Sequence, residues 1–113
     1  MPIFLMRGRY SVAGLRGSLQ EGFAARAAYL DELVGPYGGT VVGCYWVAGD
    51  HEMDVFVILE MPDEGSVHAM EFAINSTGAL QVWSVRLFEA EEMDAVRSQL
   101  QPYRAPGESY LLA

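Results

Sequence analysis

Gly43-Cys44-Tyr45-Trp46-Val47-Ala48, then Gly49-Asp50-His51-Glu52-Met53-Asp54, then Val55-Phe56-Val57-Ile58-Leu59-Glu60 is the stretch on which the fold turns. Two apolar runs, rich in aromatic and β-branched residues, flank six residues that hold three acids, a histidine and a glycine. Strand formers on both sides of a polar, glycine-containing segment predict a hairpin with a solvated tip. The second run is almost continuously apolar, which implies burial on both faces of its sheet. The two sides of the hairpin mirror each other, each with one further strand and one helix.

Working back toward the N-terminus, the strand before the tip covers Thr40 to Val47, and Gly35-Pro36 with Gly38-Gly39 stops the helix before it. That helix runs from Leu15 to Val34, with Leu15, Leu19, Phe23, Ala27, Leu30 and Val34 at helical spacing. Gly17-Ser18 is the expected place for a break, which would leave residues 12–18 as a separate turn. Ser11 fits a helix N-cap or a turn residue before Val12-Ala13-Gly14. The first strand spans Ile3 to about Tyr10, and its alternation puts Ile3, Leu5, Arg7 and Arg9 on one face and Phe4, Met6, Gly8 and Tyr10 on the other.

On the far side of the tip, a strand from Met53 to Met61 leads into Pro62-Asp63-Glu64-Gly65, a turn whose acids suit a helix start. A short helix, Ser66 to Asn75, turns Val67, Met70 and Ile74 to one side. Gly78 closes it, and a fourth strand covers Leu80 to Phe88. A last helix, Glu89 to Gln101, has acids at its start, Arg97 near its end, and Met93, Val96 and Leu100 at helical spacing. Residues 102–113 form a non-helical tail whose Tyr110-Leu111-Leu112 is apolar enough to pack on this or a neighbouring subunit.

The order β-α-β-β-α-β is the split βαβ plan, so the expected fold is α+β and ferredoxin-like, over residues 1–101, with an extra C-terminal helix. All four strands are expected antiparallel in the order 4-1-3-2, with helices on one face. The other face is also apolar, and at roughly 25 cal/mol per Å² such a face is costly in water. A second subunit is expected to cover it, making a two-sheet dimeric α/β barrel whose interior is either core or pocket. The 51% hydrophobic fraction of this 113-residue chain points the same way, to a homodimer or higher assembly.

A net charge of −8 argues against nucleic acid, which needs a basic footprint, and against anionic membrane surfaces. No apolar run approaches the roughly 18 residues of a spanning helix, so the expected location is the cytoplasm. Cys44 is the single cysteine, and all seven basic residues are arginine. Schiff-base chemistry and a phosphate-binding lysine are thereby excluded, and no cofactor is expected.

The tip offers the most concentrated chemistry. Its histidine and carboxylates suit acid–base work or a metal, yet neighbours along a strand point to opposite faces, so the usable set shrinks to His51 and Asp54, a base and its orienter. A solvated turn is the bland alternative. Arg7 and Arg9 lie near Asp54, either as a cross-strand ion pair or as arginines that bind a carboxylate or enolate. Arg86 is ambiguous in the same way. Tyr10, Tyr45, Trp46, Phe56 and Trp83 would ring the space between two sheets if it holds a pocket, and otherwise serve as core or interface. His68, with Glu64 and Glu71 at helical spacing, fits a surface ion pair.

Several stretches resemble the GYD-domain family of the dimeric α/β-barrel superfamily: Arg9-Tyr10-Ser11-Val12-Ala13-Gly14, Gly38-Gly39 through Tyr45, Asp54-Val55-Phe56-Val57-Ile58, Met61-Pro62-Asp63-Glu64, and Val85-Arg86-Leu87-Phe88. The resemblance covers nearly all of the chain up to about Leu100. At the family's Gly-Tyr-Asp motif this chain has Gly49, Met53 in place of the tyrosine, and Asp54, with a tip lengthened by Asp50-His51-Glu52. The resemblance implies the fold and no single common activity. Three functions stay open. One is a protein that holds a small aromatic or acidic ligand in a cleft beside the sheet, through Arg7, Arg9, Tyr10, Tyr45, Trp46, Trp83 and Arg86. The second, by analogy with superfamily relatives, is a cofactor-independent monooxygenase- or isomerase-like enzyme using His51 and Asp54. The third is a structural or regulatory subunit.

Overall fold

The computed structural model describes residues 1–108, so the apolar tail segment Tyr110-Leu111-Leu112 lies outside the described residues. Four strands, β1 (Ile3–Tyr10), β2 (Thr40–Trp46), β3 (Val55–Glu60) and β4 (Leu80–Leu87), form one antiparallel sheet in the order β2-β3-β1-β4. This is the expected 4-1-3-2 order seen from the other edge, and the fold is α+β and ferredoxin-like. Helices α1 (Val12–Glu21), α2 (Phe23–Val34), α3 (Glu64–Asn75) and α4 (Ala90–Arg97) complete the described chain, with a short 3-10 turn at Gly35–Tyr37. No helix among the described residues is long and apolar enough to cross a membrane.

Strand alternation decides which side chains meet the helices. On β1, Phe4, Met6 and Gly8 are buried, and across from them Val57 and Leu59 of β3 complete the same layer. Val34 from α2, Val67 and Met70 from α3, Met61 and Val82 close a single core, with Met61 and Val67 fully excluded from solvent. Burying each such side chain contributes about 1.5–3 kcal/mol. Backbone geometry is tightest where the sheet edge meets the helices: a Cβ on Gly39 would lie 2.2 Å from the Met61 sulfur, and one on Gly14 would lie 1.8 Å from the Ala79 carbonyl oxygen.

Two details differ from the sequence reading. The helical segment breaks at Gly22 (φ +99°), not at Gly17-Ser18, because only glycine takes that backbone conformation without strain. The break puts α1 out of phase with α2, so α1 turns Gly14 and Ser18 inward while Leu15 and Leu19 are exposed. Ser11 caps α1 as expected: its hydroxyl accepts from the Gly14 N–H at 3.1 Å and donates to the Ala79 carbonyl at 3.2 Å. The second difference is α4. It ends at Arg97 and does not run to Gln101; Met93, Val96 and the following Leu100 are exposed, and Arg86 with Glu92 is its one ion pair to the sheet among the described residues.

These contacts set two stability predictions. Gly14→Ala forces a methyl against the Ala79 carbonyl and is expected to lose about 1–3 kcal/mol by overpacking. Gly17→Ala, three residues on in the same helix and with open space around its Cβ, is expected to gain about 1 kcal/mol from helix propensity. Urea melts of the two variants check this, and a similar loss in both would contradict the packing. Asp63 caps α3 by accepting from the Ser66 N–H at 2.7 Å and from its hydroxyl, bonds that hold its carboxyl below the ordinary aspartate range. Folding therefore favours the charged form. The cap's stabilisation is complete above the ordinary range and lost as pH falls through the depressed value. Asp63→Ala is expected to lower Tm at neutral pH, and the gap should close in acid; a gap that does not change with pH would contradict the cap.

Candidate functional site

The sheet has two chemically different faces, and the residues singled out from sequence divide between them. On the face away from the helices, the register lines up Tyr45, Phe56, Arg7 and Trp83 in one row across all four strands. The Tyr45 and Phe56 rings stack with centroids 5.3 Å apart, and the Arg7 guanidinium lies 5.6 Å from the centre of the Trp83 ring. Arg7 Nε is buried without a hydrogen-bond partner among the described residues. Arg9, opposite Gln81, is exposed. Neither arginine pairs with Asp54 among the described residues, because the Asp54 carboxylate turns to another partner: its Oδ2 accepts from the Tyr10 N–H at 2.9 Å.

The hairpin tip is built mainly by its own backbone. Asp50 Oδ1 accepts from the N–H groups of Glu52 and Met53, at 2.7 and 3.2 Å, and Gly49 takes a positive φ of 87° to make the turn. Asp54 closes the base of the tip, donating its N–H to Gly8 at 2.8 Å and accepting from Val47 at 2.7 Å. His51 is exposed at the tip, and no hydrogen bond joins it to Asp54 among the described residues. No group of three or more His, Cys, Asp or Glu side chains among the described residues could hold a metal ion.

Tyr10 and Trp46 do not join the aromatic row. Both face the helices, where Trp46 Nε1 donates to the Tyr10 hydroxyl at 3.0 Å and the Phe23 ring packs edge-on against Trp46 at 5.1 Å. They form part of the wall of a cavity of about 270 Å³ between the sheet and helices α1 and α2. The expected ring of five aromatics around an inter-sheet space is therefore divided, two on the helix side and three on the other. The reason is register: Trp46 stands opposite Val55, which belongs to the core layer, whereas Tyr45 stands opposite Phe56, which does not.

Larger apolar side chains, among them Met6, Leu30, Trp46 and Val57, line most of the cavity, and small residues stand between them on both walls. The sheet contributes Gly8 at its centre, flanked by Val55 and Val82, and a Cβ on Gly8 would come within 3.0–3.4 Å of Val55, Leu80 and Val82. The helix wall contributes Ala13, Gly14, Gly17 and Ser18 of α1. Polar groups on the lining are few. They are the Tyr10–Trp46 pair, the Ser18 side chain of a residue only 4% exposed, and Glu21 with Arg26, which pair with each other at 3.3 Å. An apolar space with a few placed polar groups is the usual form of a small-molecule site.

Sequence reasoning missed Ser18, Glu21 and Arg26. Their signal was the run of small residues Ala13-Gly14 and Gly17-Ser18 at helical spacing, which reads as weak helix and is in fact the cavity wall. Arg86, counted among candidate ligand contacts, is committed elsewhere. It lies between Phe4 and Phe88, donates to the Ile3 and Leu87 carbonyls, and pairs with Glu92 at 2.5 Å. Glu92 is held below the ordinary glutamate range first by the Glu89 N–H and then by Arg86. His68 meets Glu71 at 3.2 Å on the exposed face of α3, as the spacing suggests. Cys44 faces the core, and burial raises its thiol pKa, which makes it less reactive.

Comparison with known proteins agrees with the fold. Among solved structures, the chain is similar to 5-chloro-2-hydroxyhydroquinone dehydrochlorinase from Burkholderia phenoliruptrix, in complex with 2,5-dihydroxybenzoquinone, with a TM-score of 0.52 and 18% identity. The match covers 80% of this chain and 97% of that one. At that identity the likeness concerns the fold alone. Among curated proteins no sequence matches. The GYD domain matches residues 4–96, nearly the whole sheet and its helices, and the chain therefore belongs to the GYD domain family.

Proposed function

We propose that the protein binds a small, planar, oxygen-bearing aromatic molecule in the cavity between its sheet and helices α1 and α2. One observation carries this reading. The Tyr10 hydroxyl already accepts from Trp46, and no acceptor for its own proton is found among the described residues, so the phenol is free to donate to an oxygen in an otherwise apolar space. A compact space of about 270 Å³ is about 8 Å across, which suits one substituted ring. The similarly folded dehydrochlorinase binds a dihydroxybenzoquinone, a ligand of the same kind, which supports the choice.

Charge bookkeeping separates an aromatic from an acidic ligand. Among the described residues Arg26 is the one basic group on the lining, and it is paired with Glu21. Arg7 and Arg9 belong to the other face of the sheet. A carboxylate buried here would have no free cation, and an unpaired buried charge costs several kcal/mol. A neutral ring with hydroxyl or carbonyl oxygens avoids that cost. The hairpin supports the site indirectly, because the Asp54 carboxylate fixes the Tyr10 backbone and so positions its ring.

The opposite face of the sheet we assign to a second copy of the chain. It carries the aromatic–arginine row, with Tyr45 57% and Val85 38% exposed.

Two measurements test these assignments. Hydroquinone, titrated into the protein and followed by tryptophan fluorescence and calorimetry, is expected to bind, and Tyr10→Phe to weaken it about tenfold, the worth of one hydrogen bond. His51→Ala should change the affinity less than twofold; a large loss there with none in Tyr10→Phe would move the site to the hairpin tip. Sedimentation of a chain of 12.4 kDa is expected to give at least twice that mass, and Trp83→Glu to return it to one copy. A monomeric parent protein would contradict the shared face.

A further inference from the structure

By whole-residue exposure Ser18 is the one buried polar residue among the described residues, at 4%, in the second half of α1. A serine at such a position usually bonds back to the carbonyl four residues earlier. No hydrogen bond of the Ser18 hydroxyl is found among the described residues, and the residue lines the cavity, where its oxygen is open to contact rather than sealed in the packing. Its own backbone carbonyl is occupied, accepting from the Gly22 N–H at 2.9 Å in the last turn of the helix. The hydroxyl therefore serves neither the helix nor its cap. Ala at this position would have a better helix propensity and no buried polar group, so nothing in the fold explains the serine.

The neighbourhood makes room for a ligand at this hydroxyl. Gly17 beside it has nothing within 4 Å of where its Cβ would be, and both residues line the cavity. Tyr10, at the end of β1, belongs to the sheet wall of the same cavity, while Ser18 belongs to the helix wall. A ligand filling the space meets one oxygen-bearing group from each. Tyr10 accepts from Trp46 and keeps its own proton to donate. Ser18 can donate or accept.

We infer that Ser18 is a specificity-determining residue that selects aromatic ligands carrying two oxygen substituents, one for Tyr10 and the other for Ser18. This rests on the proposed binding of an aromatic ligand in the cavity and goes further by naming its class, dihydroxybenzenes and the corresponding quinones in preference to simple phenols. A phenol satisfies Tyr10 and offers nothing to the Ser18 hydroxyl. A dihydroxybenzene satisfies both.

The test compares hydroquinone with phenol as probes, by calorimetric titration of the full-length parent chain, Ser18→Ala and Ser18→Thr. The parent is expected to prefer hydroquinone about tenfold, one hydrogen bond's worth. In Ser18→Ala the preference should collapse to near unity, and in Ser18→Thr, which keeps the hydroxyl, it should return. A preference unchanged in Ser18→Ala overturns the role of Ser18 while leaving ligand binding in the cavity intact. A parent chain that binds neither probe overturns both. Urea melts of the variants establish that each is folded, and a preference lost equally in Ser18→Ala and Ser18→Thr would assign the serine to packing and overturn the inference.

Discussion

The hydrogen bond from the Tyr10 N–H to the Asp54 carboxylate is the constraint on which both the hairpin and the cavity depend. It joins the end of β1 to the base of the β2–β3 hairpin, where the Asp54 backbone also bonds to Gly8 and Val47. Edge positions of a sheet fray unless a side chain satisfies the backbone groups that the ladder no longer pairs. Here one carboxylate does so at the residue whose ring forms the polar end of the cavity. Removing it would leave a half-buried donor unsatisfied, at a cost of about 1–3 kcal/mol, and would free the Tyr10 ring to move. The aspartate of the Gly-Tyr-Asp pattern thus has a structural task in this chain, and Gly49 has another, in the turn.

From that tie comes the division of labour between the two sheet faces. Alternation along β1 sends Gly8 and Tyr10 toward the helices and Arg7 and Arg9 away from them. The helix side is a filled core around Met61, Val67 and Met70, and it leaves a hollow only where the first helix crosses the sheet, with open space at Gly17. Native interiors are packed as densely as organic crystals, so a persistent hollow lined by aromatics and two hydroxyls is a departure with a functional explanation at hand. The other face is flat, aromatic and half-exposed, which suits contact with another protein surface better than it suits a pocket.

Much of the fold was legible because its signals are periodic. The alternation of Ile3 to Tyr10, the near-continuous apolar run Val55 to Leu59 and the spacing of Val67, Met70 and Ile74 each point to one structure, and the β-α-β-β-α-β sequence of elements dictates the strand order. The break at Gly22 was not legible, since Gly17-Ser18 carries the same local signal and only the positive φ distinguishes the two. The site was half legible. Tyr10 and Trp46 stood out as aromatics, but the register shift between Val41 and Gly43 in β2 decides which face Trp46 takes, and no composition rule reports it. Ser18 gave no signal because a serine in a helix is ordinary until its burial is known. The acid-rich tip drew attention by density of charge, whereas the structure uses most of those groups to shape a turn.

The two tryptophans lie on opposite faces of the sheet, Trp46 at the cavity and Trp83 in the row with Arg7. Their indole N–H resonances, followed by heteronuclear correlation spectroscopy as hydroquinone is added, report on each face separately. The Trp46 resonance, whose proton is held by the Tyr10 hydroxyl, is predicted to shift with ligand while that of Trp83 stays in place. A shift of Trp83 with Trp46 unmoved would put the ligand on the other face of the sheet and contradict the assignment of the site.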